Sequence, residues 1–157
     1  MKKYIYFLLM LFPLGIMSSC SDDDDLPDVN ITVQLDKVVD QGNRLYVVQG
    51  QTLDVTGVSA KGLGGKEALV TGVSYLWDRI EVFYTRVDPF AFSISTSAMP
   101  VGNHLLTLNM TLAQVGKPLA YSIMDIPVTV VADAADLPEG SEPGHVSLES
   151  RLTPGRK

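Results

Sequence analysis

Val29-Asn30-Ile31-Thr32-Val33-Gln34-Leu35-Asp36 sets an apolar residue at every odd position and a polar one at every even position. Successive side chains of a strand point to opposite faces, so this octet buries one face and wets the other. The same period of two returns in short runs along the chain, and no stretch repeats at helical spacing. That pattern predicts an all-β fold.

Working outward, a turn at Asp40-Gln41-Gly42-Asn43 separates the octet from Leu45 to Val48, and Gly50 separates those from Leu53 and Val55, which predicts two short strands. Gly57, Gly62, Gly64 and Gly65 predict a flexible loop over residues 57–66. A phosphate-cradling loop would end in Gly-Lys-Ser/Thr and open a helix, and this stretch does neither. From Val70 to Asp78 the alternation puts Val73, Tyr75 and Trp77 on one face, and after Asp78-Arg79 it continues through Ile80, Val82 and Tyr84 as the second arm of a hairpin. Phe90, Phe92 and Ile94 alternate with Ala91, Ser93 and Ser95. After the turn Met99-Pro100-Val101-Gly102-Asn103, the strand His104–Leu112 aligns Leu106, Leu108, Met110 and Leu112. A last strand runs from Tyr121 to Val131, with Pro127 implying an edge or a bulge. About seven strands over residues 29–133 predict a single immunoglobulin-like β-sandwich. Trp77, the only tryptophan, is expected to pack between the sheets, where an indole gains more from burial than from exposure.

Residues 73–131 resemble bacterial Ig-like modules. The resemblance rests on Val73 to Trp77-Asp78, on Asp88-Pro89-Phe90-Ala91-Phe92-Ser93, and on Met99-Pro100-Val101-Gly102-Asn103-His104-Leu105-Leu106-Thr107. In that family a strand ending near an aspartate precedes a Pro-Phe strand start and a Pro-x-Gly-x-His-x-Leu-Thr entry. The family's aspartate-rich turn is replaced here by Ala113-Gln114-Val115-Gly116-Lys117, and paired cysteines are absent. The resemblance implies that His104 helps to start a strand after a tight turn.

The N-terminus carries an address. Lys2 and Lys3 precede an apolar stretch, Tyr4 to Met17, broken by Pro13 and Gly15. A permanent span needs about 20 apolar residues, so residues 1–19 read as a cleaved signal peptide. Met17-Ser18-Ser19-Cys20 resembles the lipobox of bacterial lipoproteins, which implies lipidation at Cys20. Cys20 is the only cysteine of the chain, so an intramolecular disulfide is excluded. Ser21-Asp22-Asp23-Asp24-Asp25 then forms an acidic run whose charges repel, an extended tether over residues 20–28. It resembles the acidic export signal of Bacteroidetes-type surface lipoproteins, which implies a cell-surface position on the outer membrane. As a plain spacer it would leave the domain facing the periplasm. A calcium loop would need alternating ligands and a glycine that are missing here.

Residues 20–157 are about the size of one ordinary domain. Without Lys2 and Lys3 the balance is ten basic against eighteen acidic residues. Scattered, outnumbered cations do not track a phosphate backbone, so nucleic acid is not an expected partner. From residue 134 to 157 the composition turns polar and Pro/Gly-rich, which predicts a flexible C-terminal tail. His104 and His145 are the only histidines, and neither has the neighbours that a metal site or a catalytic base requires. No Gly-x-Ser-x-Gly elbow occurs. The expectation is a non-enzymatic module without cofactor or metal, held at the membrane through its lipid anchor and binding a protein partner. The alternative is a glycan-binding accessory lipoprotein of an outer-membrane carbohydrate uptake system. Tyr75, Phe83, Tyr84 and Tyr121 are the candidate ligand contacts for either, and the interaction reading further predicts an exposed apolar or aromatic patch on one sheet or one loop end.

Overall fold

The computed structural model describes residues 26–152. Residues 1–19, expected to be a signal peptide, lie outside the described residues, as do Cys20 and the run Ser21, Asp22, Asp23, Asp24 and Asp25. Nine strands are present among those described: β1 (Val29–Asp40), β2 (Leu45–Val48), β3 (Thr52–Gly62), β4 (Ala68–Trp77), β5 (Ile80–Thr85), β6 (Phe92–Ser95), β7 (Gly102–Gln114), β8 (Ala120–Val131) and β9 (Gly144–Leu152). A 3-10 turn, Ala134–Asp136, precedes β9.

The opening octet behaves as its alternation requires. Val29, Ile31, Val33 and Leu35 are completely buried, while Asn30, Thr32 and Gln34 face away from the core. Strand β1 pairs antiparallel with β3, which pairs with β6, and these strands form one layer. The other layer runs β5-β4-β7-β8, antiparallel throughout. Its inner face supplies Val73, Tyr75, Trp77, Leu106, Leu108, Met110 and Leu112, all within the same core cluster as the β1 residues. Strand β2 closes one side of the sandwich: Leu45 and Tyr46 pair with the last two residues of β1, and Leu45–Val48 run parallel to Val128–Val131 of β8. A first strand shared between two Greek-key layers, with a buried tryptophan on β4, makes this an immunoglobulin-like sandwich.

Three expectations are corrected. The chain past residue 133 is not a flexible tail throughout, because Gly144–Leu152 forms β9 and pairs antiparallel along β1. Composition hides this: only Val146, Leu148 and Leu152 pack against the core, and much of the attachment comes from main-chain hydrogen bonds to an edge of β1 that would otherwise be unsatisfied. Side chains reinforce it, with His145 Nδ1 2.7 Å from Asp36 and Arg151 3.3 Å from Asp28. Where the alternation predicts about seven strands over residues 29–133, that span holds eight, and β9 makes nine.

The glycine-rich stretch is also not one loop, since β3 runs on to Gly62. A Cβ on Gly62 would lie 2.7 Å from Gln114 Nε2 and closer still to the Lys66 carbonyl. Glycine therefore serves a close backbone approach inside the strand. The third correction concerns β5, where the alternation of Ile80, Val82 and Tyr84 is broken: Ile80 stands opposite Trp77, but Tyr84 stands opposite Ser74, on the other face of β4. A bulge between Tyr75 and Leu76 shifts the register, and β5 is an exposed edge strand.

Candidate functional site

The four aromatic candidates are divided by the pleat. Tyr75 points into the core, completely buried, and its hydroxyl donates to the Phe90 carbonyl. Burial pushes its phenol well above the usual tyrosine range. Tyr75 is therefore a core residue and cannot contact a ligand, a correction that follows from its sharing a face with Val73 and Trp77. Phe83, opposite Tyr75 in the β4–β5 pairing, leans inward as well. Its ring stacks 5.4 Å from Phe92, which itself lies 4.6 Å from Tyr75. The three rings stack at the side of the sandwich between β5 and β6, and Phe83 remains 41% exposed.

Tyr84 and Tyr121 stand on the opposite, outer face of the β5-β4-β7-β8 layer. Tyr84 pairs with Ser74, and its ring lies against Gly72, where an added Cβ would meet the hydroxyl at 3.0 Å. The missing side chain of Gly72 makes room for the ring. Gly72 pairs with Thr111, which pairs with Tyr121, so one cross-strand row leads from beneath Tyr84 to Tyr121. In the next row Ser74 leads through Asn109 to Ile123. Leu69, beside Ala113, continues the face toward the β7–β8 turn, where Val115 and Leu119 are also exposed.

This face is unusually apolar for solvent. Tyr121 is 76% exposed, Ile123 68%, Leu69 65% and Tyr84 50%. Sequence reading missed Leu69 and Ile123. The available signal was their position: each alternates with core residues of its own strand, Ile123 between Ser122 and Met124, and so must face outward. Polar neighbours rim the patch. Arg86 Nε donates to the Tyr84 hydroxyl at 2.6 Å, Ser74 donates to Glu81, and Thr107 donates to Asp125 at 2.6 Å.

Trp77 is buried in the core cluster, as its packing value predicts, and is no surface platform. Its ring centroid lies 5.1 Å from that of His104. His104 Nδ1 is 2.7 Å from the Asp78 carboxylate, and Nε2 is 2.8 Å from the Pro100 carbonyl. Each ring nitrogen thus faces an acceptor, an arrangement that favours the protonated imidazole. With both nitrogens engaged, His104 pins the β4–β5 turn and the Met99–Gly102 turn to the start of β7. His145 is held on Asp36. Among the described residues no group of three His, Cys, Asp or Glu side chains is placed to hold a metal ion.

No protein-family model matches the sequence, and no curated protein matches it. Among solved structures, the chain is similar to the fibronectin(III)-like modules of Clostridium thermocellum CbhA, with 12% sequence identity and a TM-score of 0.42. The match covers 68% of this chain and 48% of that one, so the chain aligns with about half of that protein.

Proposed function

We propose that this domain is a non-catalytic interaction module of a bacterial cell envelope, lipid-anchored through Cys20 and binding a protein partner. The observation that carries the reading is the outer face of the β5-β4-β7-β8 layer, where Leu69, Tyr84, Tyr121 and Ile123 are exposed together. Contiguous apolar surface is costly to leave in water and marks interaction sites. Aromatic residues with a polar rim are the composition that protein interfaces favour. The anchor and the acidic run Ser21 to Asp25 support a position on the outer membrane, facing the cell exterior.

A second reading, glycan binding for an outer-membrane carbohydrate importer, draws support from Tyr84 and Tyr121 sharing this face with Ser74, Asn109 and Thr111. A glycan array probed with the full chain and with Tyr84→Ala and Tyr121→Ala decides between them. The protein-interaction reading predicts no specific sugar binding by the folded chain. Specific binding that either substitution abolishes, with folding intact, would replace it with the glycan reading.

A further inference from the structure

The outer face has a neighbour of different character along one side of the sandwich. Strand β8 has a partner on both sides only over Val128–Val131, where β2 joins it. From Ala120 to Pro127 its one neighbour among the described residues is β7. Strand β9 likewise has β1 alone. Between these two free edges lies a groove of about 310 Å3 whose lining includes Leu45, Met124 and Leu148.

A free edge leaves every second backbone N–H and C=O unpaired, and proteins commonly guard such edges with lysines, prolines or bulges. Over Ala120–Ile126 β8 has no lysine and no proline, and its pairing with β7 runs without a register shift. Pro127, lacking an N–H, stands where this stretch, whose one charge is Asp125, meets the part covered by β2. The free edge extends for about 24 Å at ordinary strand rise.

The charges of the groove specify what would fit. Its charged lining residues, Asp40, Asp125 and Glu149, are all acidic. The chain itself carries a net charge of −6 and an acidic run at Asp22 to Asp25. Electrostatics therefore opposes a second copy, or the chain's own tether, in this position. A segment bearing lysine or arginine is the complementary occupant.

We propose that the free edge of β8 is a strand-addition site, at which an extended, lysine- or arginine-bearing segment of a partner protein pairs with Ala120–Ile126. Main-chain hydrogen bonds supply affinity, alternate side chains enter the groove beside Leu45, Met124 and Leu148, and the cations meet Asp40, Asp125 and Glu149. The proposal rests on the protein-interaction reading and adds to it the conformation and charge of the partner.

The test titrates the full chain, purified in detergent, into dye-labelled eight-residue peptides that alternate lysine with valine, isoleucine or phenylalanine, read by fluorescence anisotropy. Two controls replace lysine by glutamate or N-methylate every second amide. Saturable binding of a lysine peptide, slowed hydrogen exchange over residues 120–126 and loss of binding in both controls are the expected results. Asp40→Lys with Glu149→Lys, both at exposed positions, should weaken binding roughly tenfold while leaving folding intact. The proposal is overturned if no lysine peptide binds, if the N-methylated peptides bind equally well, or if protection appears elsewhere. Concentration-dependent dimerisation that protects residues 120–126 would overturn it in favour of a second copy. These failures are separable from failure of the interaction reading, because the sugar array reads sugar binding and includes Tyr84, which lies on β5 away from this edge.

Discussion

The Asp78 carboxylate takes two hydrogen bonds at once, from His104 Nδ1 at 2.7 Å and from the backbone N–H of Leu105 at 2.9 Å. It joins the tight turn at Asp78-Arg79, both residues at positive φ, to the strand that crosses the middle of the outer layer. The pair thus holds the frame on which Tyr84 and Tyr121 are mounted.

The two groups titrate in opposite senses. Burial alone would lower the His104 pKa, but the bond to Asp78, the Pro100 carbonyl and the charge of Asp78 together raise it above its ordinary value of about 6.5. A group whose folded pKa is raised stabilises fully below its unfolded pKa and loses that contribution as pH rises through the folded value. Burial would raise the Asp78 pKa, but the His104 bond, the Leu105 N–H and the His104 charge outweigh it and lower it. Its contribution is present above about pH 3.9 and is lost as pH falls through the lowered value. Thermal unfolding should therefore show Tm declining as pH rises above about 6.5 and through the raised His104 pKa. His104→Gln should flatten that decline, and an unchanged slope in the variant would remove His104 as its source.

Strand β9 should be needed for stability. Ending the chain at Pro143 removes Val146, Leu148 and Leu152 from the core margin and bares the edge of β1. A loss of about 3 kcal/mol is expected from the apolar burial alone, along with a tendency to associate through the exposed edge. Urea unfolding followed at two protein concentrations measures both effects. Equal midpoints for the truncated and full chains would mean that β9 is dispensable.

How much of this was legible in the sequence depends on what held each element. Where burial of alternate side chains drives the strand, as in Val29–Leu35 or Leu106–Leu112, the alternation identified both the strand and its inner face. Where backbone pairing drives it, as in β9, side chains carried little trace. Gly57 and Gly62 misled because glycine marks both loops and close approaches, and only the third dimension reveals Lys66 and Gln114 beside Gly62. Among the aromatic candidates, Tyr75 shares the parity of Trp77 and could have been assigned to the core. The inward lean of Phe83 could not, because it depends on the bulge opposite Tyr75 and Leu76.

The close approach at Gly62 predicts its own test. Gly62→Ala sets a methyl group against the Lys66 carbonyl and the Gln114 amide, and overpacking of this kind costs about 1–3 kcal/mol. Gly64→Ala is the informative comparison, since its Cβ would meet nothing within 4 Å, although its positive φ carries a conformational cost of its own. Chemical denaturation of the two variants should place Gly62→Ala as the less stable.

Core and surface tyrosines should separate cleanly. Tyr75→Phe leaves the Phe90 carbonyl without its buried donor and should cost about 1–3 kcal/mol. Tyr121→Ser alters a side chain that is mostly in solvent, and should change unfolding free energy by no more than about 0.5 kcal/mol. If denaturation ranked them the other way, Tyr121 would belong to the packing of the domain and not to its contact surface.

The central claim is that the outer face of the β5-β4-β7-β8 layer meets a protein, and photo-cross-linking on intact cells tests it most directly. A benzophenone amino acid is placed at position 121 on that face, and at the exposed position 59 on the opposite layer as control. The account predicts a discrete protein adduct from position 121 and none from position 59. No adduct from position 121 in a folded, surface-localised chain, or equal adducts from both positions, would contradict it.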